Sequence, residues 1–510
     1  MVFNSLNYLL IFLPIIVSIY YFLRNNNYRN LFLIIASFYF YAWGNPLWAM
    51  ILMLSASIDF LLAQKIEKIN IKLEIYNINN QNANSCDNFF LEKENYQKNL
   101  IRQKKFYLLI SIIFNCLLLL IFKYWNWLMD VASDSTDINF IFLKHHLSLP
   151  PAISFYTFES LSYIIDIYRN KYRSTKNFCD YLTFIAFFPK LVAGPIMRAH
   201  ELIPQLTKIR KKISSKNLEF AIFLILWGLF KKIVFADNFG HLVNLCKKNI
   251  NNDIGIGYLL GISAIFQIYC DFSAYCDIAR GTAKLFAINL RRNFLTPLLS
   301  CNTSEFFQRW NITLSNWVRD YIYIPLGGNK GNFFQQNFNL FFTMFLFGVW
   351  HGASWYYCFY GLYSALMILI YRLTKIDKIL IKFLGNFIGK ILAIIIHLNF
   401  FVFIMIVIFY SKNHSELMLF LKSFFNIFSA NLIIETNNQN ISFAKIFYGL
   451  SLFALPIIIT DILGYLRKRE FVDLYQTFPL ILKSFLYLLM FYVTLFFYFR
   501  GTNDFIYFQF

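Results

Sequence analysis

The chain alternates long apolar stretches with short polar ones from its first residues to its last. Many of the apolar runs are about 18–22 residues long, the length that a helix needs to cross the hydrocarbon core of a bilayer. The pattern predicts an all-α polytopic membrane protein with roughly 11–13 transmembrane or re-entrant helices. The predicted segments are residues 2–23, 31–43, 47–63, 106–128, 149–167, 178–192, 218–235, 254–272, 338–350, 354–371, 383–410, 443–463 and 479–499.

Several of these segments are short for a complete crossing. Segment 178–192 ends just before Pro195, and we expect it to be a re-entrant piece. Irregular backbone at membrane depth is tolerated only where protein or a water-filled cavity surrounds it. Segment 178–192 should therefore be buried in the protein.

Composition and charge agree with this class. The chain is 58% hydrophobic with a mean hydropathy of +0.50, whereas soluble domains are about 45–50% apolar. Its 47 Lys and Arg against 27 Asp and Glu give a net charge of +20. These basic residues cluster in short loops, where they indicate membrane orientation, and no basic stripe suggests nucleic-acid binding.

The loop charges give one consistent threading. The first apolar run has basic residues only after it, at Arg24 and Arg29, which indicates a retained first helix with its N-terminus outside the cell membrane. The hydrophilic stretch 65–105 is then a cytoplasmic loop within a single membrane domain, 1–510. The eight cysteines form no CxxC pair, so we interpret them as small buried residues and expect no metal site.

His351 is the most informative single residue. It lies in the segment Phe347-Gly-Val-Trp-His-Gly-Ala-Ser-Trp355, inside an apolar run without Lys, Arg, Asp or Glu. An ionisable group at bilayer depth is costly and faces the protein interior or a wet cavity. A histidine there is suited to proton transfer, although packing against a neighbour is the ordinary alternative.

Polar residues concentrate in region 271–372, which we interpret as the core of the site. Asp271 and Asp277 open it, and a second polar stretch follows from Arg309 to Asp320. Helical spacing cannot place all the polar residues of that stretch on one face, so we expect a buried, internally paired segment near the cytoplasmic side.

Two motifs give the chain a family resemblance. Arg309-Trp310-Asn311, continuing to Arg319-Asp320-Tyr-Ile-Tyr-Ile-Pro-Leu-Gly-Gly328, and then Trp350-His351-Gly352 resemble the core signature of the membrane-bound O-acyltransferase family. Residues 149–169, 187–195, 271–277 and 505–510 resemble further blocks of the alginate O-acetylase branch in the same order.

The resemblance implies a central tunnel in which an acyl donor meets an acceptor hydroxyl at His351. The second motif residue of the family corresponds to Asn311, where the alginate-type branch usually has histidine. Neutral His351 would act as general base, and the Asn311 amide would donate to an oxyanion or orient the acceptor. For Asn311, a helix–helix hydrogen bond is the alternative. The remaining candidates, as tunnel lining or structural support, are Arg309, Trp310, Arg319, Asp320, Asp271 and Trp350.

The resemblance further implies a bacterial inner-membrane enzyme that moves an acyl group, most simply acetyl, to an exopolysaccharide or to peptidoglycan. It implies no bound cofactor, a donor such as acetyl-CoA or an acyl carrier as co-substrate, and a separate extracytoplasmic partner resembling an esterase. Two other classes stay open at this point: a flippase for lipid-linked sugars, and a non-catalytic scaffold of a surface-polymer complex.

Overall fold

The computed structural model describes residues 1–81, 87–136, 144, 148–210, 212–249, 256–425, 433–436, 439–498 and 505. Almost all the described chain is helical, which confirms the all-α prediction, and a short antiparallel hairpin, β1 (Ile433–Thr436) with β2 (Gln439–Ser442), departs from it. Parts of the acidic loop at 137–143 and the histidines at 145 and 146 lie outside the described residues.

Seven helical stretches of the described chain have the length and apolarity needed to cross a membrane. They are Pro46–Ile78, Glu94–Thr136, Ile256–Leu285, Trp355–Thr374, Ile376–Tyr410, Gly449–Arg467 and Leu480–Tyr498. The helices of the other predicted segments do not meet both criteria; Asn7–Phe22, for example, is apolar but shorter. The chain is therefore a multi-pass membrane protein.

The N-terminal unit consists of Met1, Ser5–Ile213 and Ala283–Leu290. Two π-helical turns, Asn7–Phe12 and Leu120–Tyr124, widen its helices. Its helices are α1 (Leu13–Phe22), α2 (Asn26–Ala42), α3 (Pro46–Gln81), α4 (Asp87–Leu119), α5 (Trp125–Thr136), α6 (Ile153–Tyr168), α7 (Phe178–Ala186), α8 (Phe188–Leu191) and α9 (Ala199–Thr207).

The segment predicted to re-enter the membrane is broken and buried. Helix α7 stops at Phe187 and α8 resumes for four residues, with Lys190 buried on it. The Lys190 ammonium pairs with the carboxylate of buried Glu159 on α6, whose second oxygen accepts a hydrogen bond from the Met197 amide at 3.0 Å. This ion pair holds the irregular chain against α6, as polar groups buried in an apolar bundle require.

The C-terminal unit consists of Val2–Asn4, Ser214–Thr282 and Arg291–Phe510. Helix α12 (Ile256–Leu285) begins in this unit, α17 (Ile376–His397) is broken at Gly385 (φ 80°), and π-helical turns occur at Phe230–Ala236, Arg319–Tyr323 and Leu398–Phe403. Its helices are α10 (Ser215–Leu229), α11 (Asp237–Asn249), α12 (Ile256–Leu285), the 3₁₀ turn Pro297–Leu299, α13 (Thr303–Arg309), α14 (Ile312–Val318), α15 (Phe333–His351), α16 (Trp355–Thr374), α17 (Ile376–His397), α18 (Ile404–Tyr410), α19 (His414–Phe425), α20 (Phe443–Arg467), α21 (Phe471–Tyr475) and α22 (Leu480–Tyr498).

Two glycines allow α15 and α16 to cross at backbone contact. A Cβ on Gly348 would lie 2.1 Å from the carbonyl oxygen of Tyr357, and a Cβ on Gly361 would lie 2.1 Å from that of Met344. Small residues at such a crossing let helices approach closely where lipid gives no hydrophobic drive for association. Because His351 is the last residue of α15, one turn beyond Gly348, this crossing fixes where the imidazole lies.

We predict that Gly348→Ala destabilises the protein by about 1–3 kcal/mol, because the added methyl group collides with backbone rather than with a flexible side chain. The midpoint of thermal unfolding of the detergent-purified protein measures this. The matched control is Gly449→Ala, where a Cβ meets nothing within 4 Å. Equal stability of the two variants would contradict the proposed role of the crossing.

Candidate functional site

His351 lies in a cage of aromatic rings at the end of α15. Its side chain is 7% exposed, and its ring contacts Phe347 and Trp350 edge-on at centroid distances of 4.9 Å each. Tyr360 on α16 and Phe409 on α18 contact it edge-on at 5.1 and 5.6 Å. Rings on three helices therefore fix the imidazole in an environment largely closed to solvent.

Lack of space for a side chain explains why glycine follows His351. The backbone at Gly352 is extended, and a Cβ there would lie 2.2 Å from Cε2 of the Tyr357 ring. Any larger residue would push Tyr357 away, and this ring packs against Phe409 of the same cage at 5.2 Å.

Asn311 occupies a strained turn between α13 and α14. Its backbone is left-handed (φ 41°, ψ 56°), a conformation that asparagine tolerates better than most residues. Two backbone hydrogen bonds enclose the turn, from Leu295 N–H to the Arg309 carbonyl and from Ile312 N–H to the Asn293 carbonyl, each at 2.9 Å.

The Asn311 side chain is 2% exposed, and neither its Oδ1 nor its Nδ2 has a hydrogen-bond partner among the residues that the structure describes. Buried amide groups are nearly always satisfied in native proteins, so exceptions of this kind concentrate at functional sites. Among the described residues, Asn311 therefore does not form the helix–helix hydrogen bond considered as the alternative.

Stacked rings connect the Asn311 turn to the His351 cage. Trp310 stacks on Phe306 at 5.4 Å, and the next residue, Phe307, contacts Phe347 edge-on at 5.6 Å. Phe347 in turn is a wall of the His351 cage. A series of ring contacts through helix α13 therefore runs, within the C-terminal unit, from Trp310, the residue before Asn311, to the ring of His351.

A polar cavity adjoins the Asn311 turn. Three of its lining residues also contact residues next to Asn311. Asn293 Oδ1 accepts a hydrogen bond from Thr313 Oγ1 at 2.6 Å, and the rings of Phe294 and Tyr269 contact Trp310 at 5.1 and 6.1 Å. Its lining residues are Trp227, Lys231, Tyr269, Ser273, Cys276, Asp277, Arg280, Asn293, Phe294, Thr296, Ile457, Thr460, Asp461, Glu470, Phe471 and Val472. His351 does not line this cavity, and a continuous tunnel through the protein stays a prediction.

One wall of the cavity belongs to a buried set of ion pairs, which we call the inner charge cluster. Lys232 contacts Asp271 at 2.7 Å and Asp237 at 2.9 Å, and Lys231 contacts Asp277 at 2.7 Å. Arg280 continues the set to Asp277 and Glu470. The cluster joins α12 to the π-helical turn that carries both lysines, and the ion pair of Asp271 favours the structural alternative for this residue.

The remaining candidates are placed as follows. Trp350 is buried beside His351, and Arg309 pairs with Glu305 at 2.7 Å and donates to Thr296 Oγ1 at 3.0 Å. The prediction that the stretch from Arg309 to Asp320 is buried is wrong at its C-terminal end: Arg319 and Asp320 pair at 2.8 Å, but their side chains are 57% and 37% exposed. The π-helical turn Arg319–Tyr323 displaces them from the α-helical positions that spacing alone would assign.

A histidine near the end of a helix is ordinarily an interfacial residue, and this interpretation is wrong for His397. The residue ends α17, as expected, but its side chain is fully buried against Phe306, Tyr371 and Phe401. A second imidazole therefore packs against helix α13. The sequence could not predict this burial, because the exposure of a residue at a helix end depends on which other helices pack against it. In the described residues, no group of three or more His, Cys, Asp or Glu side chains is arranged to hold a metal ion.

Comparison with known proteins decides the family. Residues 169–412 match the model of the membrane-bound O-acyltransferase family. A probable alginate O-acetylase of Pseudomonas aeruginosa is 32% identical over 382 residues, covering 74% of this chain and 67% of its own. The chain belongs to the membrane-bound O-acyltransferase family.

Other relatives of this acyltransferase act on different polymers. A peptidoglycan O-acetyltransferase of Helicobacter pylori is 29% identical over 73% of this chain and 70% of its own. A teichoic acid D-alanyltransferase of Bacillus subtilis is 28% identical over 51% of this chain and 68% of its own. The matched family segment contains Asn311 and His351, and membership confirms the enzyme prediction over the flippase and scaffold readings.

We predict that Lys232→Met lowers the stability of the acyltransferase by about 3–5 kcal/mol, because it leaves the carboxylates of Asp237 and Asp271 buried without their cation. Thermal unfolding in detergent measures the loss. The matched control is Lys483→Met, which removes a partly exposed partner of Glu219 and should cost at most about 1 kcal/mol. A small effect at Lys232 would show that the cluster is not structural.

Proposed function

We propose that this acyltransferase moves an acetyl group from a cytoplasmic thioester across the membrane toward hydroxyl groups of an extracytoplasmic glycan. The observation that carries the proposal is that one unit holds both a caged imidazole, His351, and a buried amide, Asn311, whose polar atoms have no partner among the described residues. A base and an amide donor around one aromatic cluster are what acyl transfer to a hydroxyl requires.

His351 is the proposed general base. The acceptor hydroxyl loses its proton to the imidazole as its oxygen attacks the thioester carbon. The carbon–sulfur bond then breaks, and the imidazolium returns the proton to the leaving thiolate, so that an ester and a thiol result. The aromatic cage supports this role because it excludes water, which would otherwise hydrolyse the thioester.

Asn311 is the proposed electrostatic partner. Its amide cannot take a proton at neutral pH, but its Nδ2 can donate to the oxyanion that develops on the thioester carbonyl. Its left-handed backbone, fixed by the two flanking backbone hydrogen bonds, supports this role because the amide is positioned before substrate binds.

The proposed acceptor is an alginate-like exopolysaccharide or peptidoglycan. The supporting observation is coverage: the relatives named for alginate and for peptidoglycan match 74% and 73% of this chain, whereas the D-alanyltransferase of Bacillus subtilis matches 51%. Acetyl is the acyl group in the names of the first two relatives.

The remaining parts of the proposal concern topology and partners. The basic loops support a bacterial inner-membrane protein with its N-terminus in the periplasm. The donor, acetyl-CoA or an acyl carrier, is a co-substrate that would approach from the cytoplasm. A separate extracytoplasmic protein would complete transfer to the polymer.

We predict that His351→Gln lowers glycan acetylation by about 10²–10⁴-fold, because the hydroxyl then has no general base. The measurement is the acetate released by mild alkali from purified glycan, normalised to the amount of the acyltransferase in the membrane fraction. The matched control is His397→Gln, which removes the other buried imidazole of the same unit and should keep activity within several-fold. Normal acetylation in the His351 variant would refute the proposed base.

We predict that Asn311→Gly lowers the rate of acetyl transfer by about 10²–10³-fold while leaving thermal stability nearly unchanged. Glycine tolerates the left-handed backbone, so this variant removes the amide without adding strain. Asn311→Ala should lose the same activity and also unfold at a lower temperature. A fully active glycine variant would mean that the Asn311 amide has no part in the reaction.

A further inference from the structure

Two arginines of the N-terminal unit lie buried on one tyrosine ring. The guanidinium carbons of Arg29 and Arg210 are 5.0 and 5.5 Å from the centroid of Tyr20, and each arginine is 6% exposed. Arg29 donates from Nε to the Leu23 carbonyl and from Nη1 to the Arg210 carbonyl, both at 2.8 Å. Like charges buried this close together need a compensating anion.

The protein supplies that anion only indirectly. Arg210 Nη2 donates to the Asn30 side chain, which in turn donates to a carboxylate oxygen of Asp180 at 2.8 Å. Asp180 makes no ion pair with either arginine. The Nε and Nη1 groups of Arg210 are buried and have no hydrogen-bond partner among the described residues. Burial lowers the pKa of Arg210, because the charged guanidinium loses its solvation by water.

A helix N-terminus adds to the positive potential at this place. The 17-residue helix α2 begins at Asn26, whose side-chain oxygen accepts from the Arg210 amide at 3.4 Å and whose amide group donates to the Lys208 carbonyl. The first amides of a helix and its macrodipole favour an anion. The segment that carries Arg210 is thus held directly at the start of α2.

The location fits the surface of a membrane. Tyr20 and Tyr21 close the first apolar helix, the position where interfacial aromatic residues are enriched. Arg24, Lys208 and Lys212, close in sequence to the two buried arginines, are exposed and would attract anionic headgroups.

We propose that Arg29, Arg210 and the N-terminus of α2 form a binding site for a phosphate group, carried by an anionic phospholipid or free in solution. Guanidinium groups donate charge-assisted hydrogen bonds to phosphate oxygens, and both Nε and Nη1 of Arg210 have no hydrogen-bond partner among the described residues. The site shares no residue with the proposed acetyl-transfer site and does not depend on that function.

The test measures binding to the full-length protein, delipidated in neutral detergent, by native mass spectrometry and by thermal unfolding. The probes are short-chain phosphatidylglycerol, short-chain phosphatidylcholine and inorganic phosphate. We expect phosphatidylglycerol to bind and to raise the unfolding temperature by about 2–4 °C or more. Inorganic phosphate that gives the same shift and competes with the lipid would identify free phosphate as the source. No shift with either probe, or an equal shift with phosphatidylcholine, would overturn the proposal.

Arg210→Gln should weaken phosphatidylglycerol binding by about 10–100-fold, since it removes charge-assisted hydrogen bonds. The matched control is Lys212→Gln, which removes the same charge from an exposed side chain two residues away and should bind as the wild type does. Equal weakening in both variants would mean bulk attraction and would overturn the site. If Arg210→Gln does not fold, Arg210→Lys replaces it, and wild-type binding by that variant would overturn the assignment of the two donors.

Discussion

Polar groups buried among apolar helices must find their partners inside the protein, and this requirement organises both units of the acyltransferase. In the N-terminal unit, the Lys190–Glu159 pair holds a broken helical segment against α6. In the C-terminal unit, the inner charge cluster fastens α12 to the π-helical turn with its two lysines. Removing one member of such a pair strongly lowers the free energy of unfolding, whereas replacing the whole pair by apolar residues often changes it little. Each pair therefore fixes geometry more than it adds stability.

This rigid frame explains how a strained turn persists at the candidate site. Asn311 adopts a left-handed backbone because the flanking residues are held by backbone hydrogen bonds to Asn293 and Leu295. Residue 294, between them, packs on Trp310 and lines the polar cavity. The structure around the turn therefore over-determines it, which is the condition under which backbone strain is retained. The amide is fixed before substrate arrives, as electrostatic stabilisation of an oxyanion requires.

The two units use buried charge in different ways. In the inner charge cluster, Lys231 and Lys232 each contact a carboxylate directly. The arginine pair at Tyr20 is linked to the carboxylate of Asp180 only through the intervening amide of Asn30 in the described residues. The first arrangement is complete within the protein, whereas the second leaves guanidinium donors for a group from outside. This contrast distinguishes a structural ion pair from a candidate ligand site.

The sequence by itself determined the all-α membrane class and the positions of most helices, and it singled out His351 as the candidate base. These follow from local rules: the length of apolar runs, the charge of loops and the cost of an ionisable group at depth. Only the tertiary structure decided that Arg319 and Asp320 are exposed, that His397 is buried and that Arg29 and Arg210 meet on one ring. These outcomes depend on π-helical turns and on contacts between residues as far as 190 positions apart, which no local pattern of hydrophobicity or charge encodes.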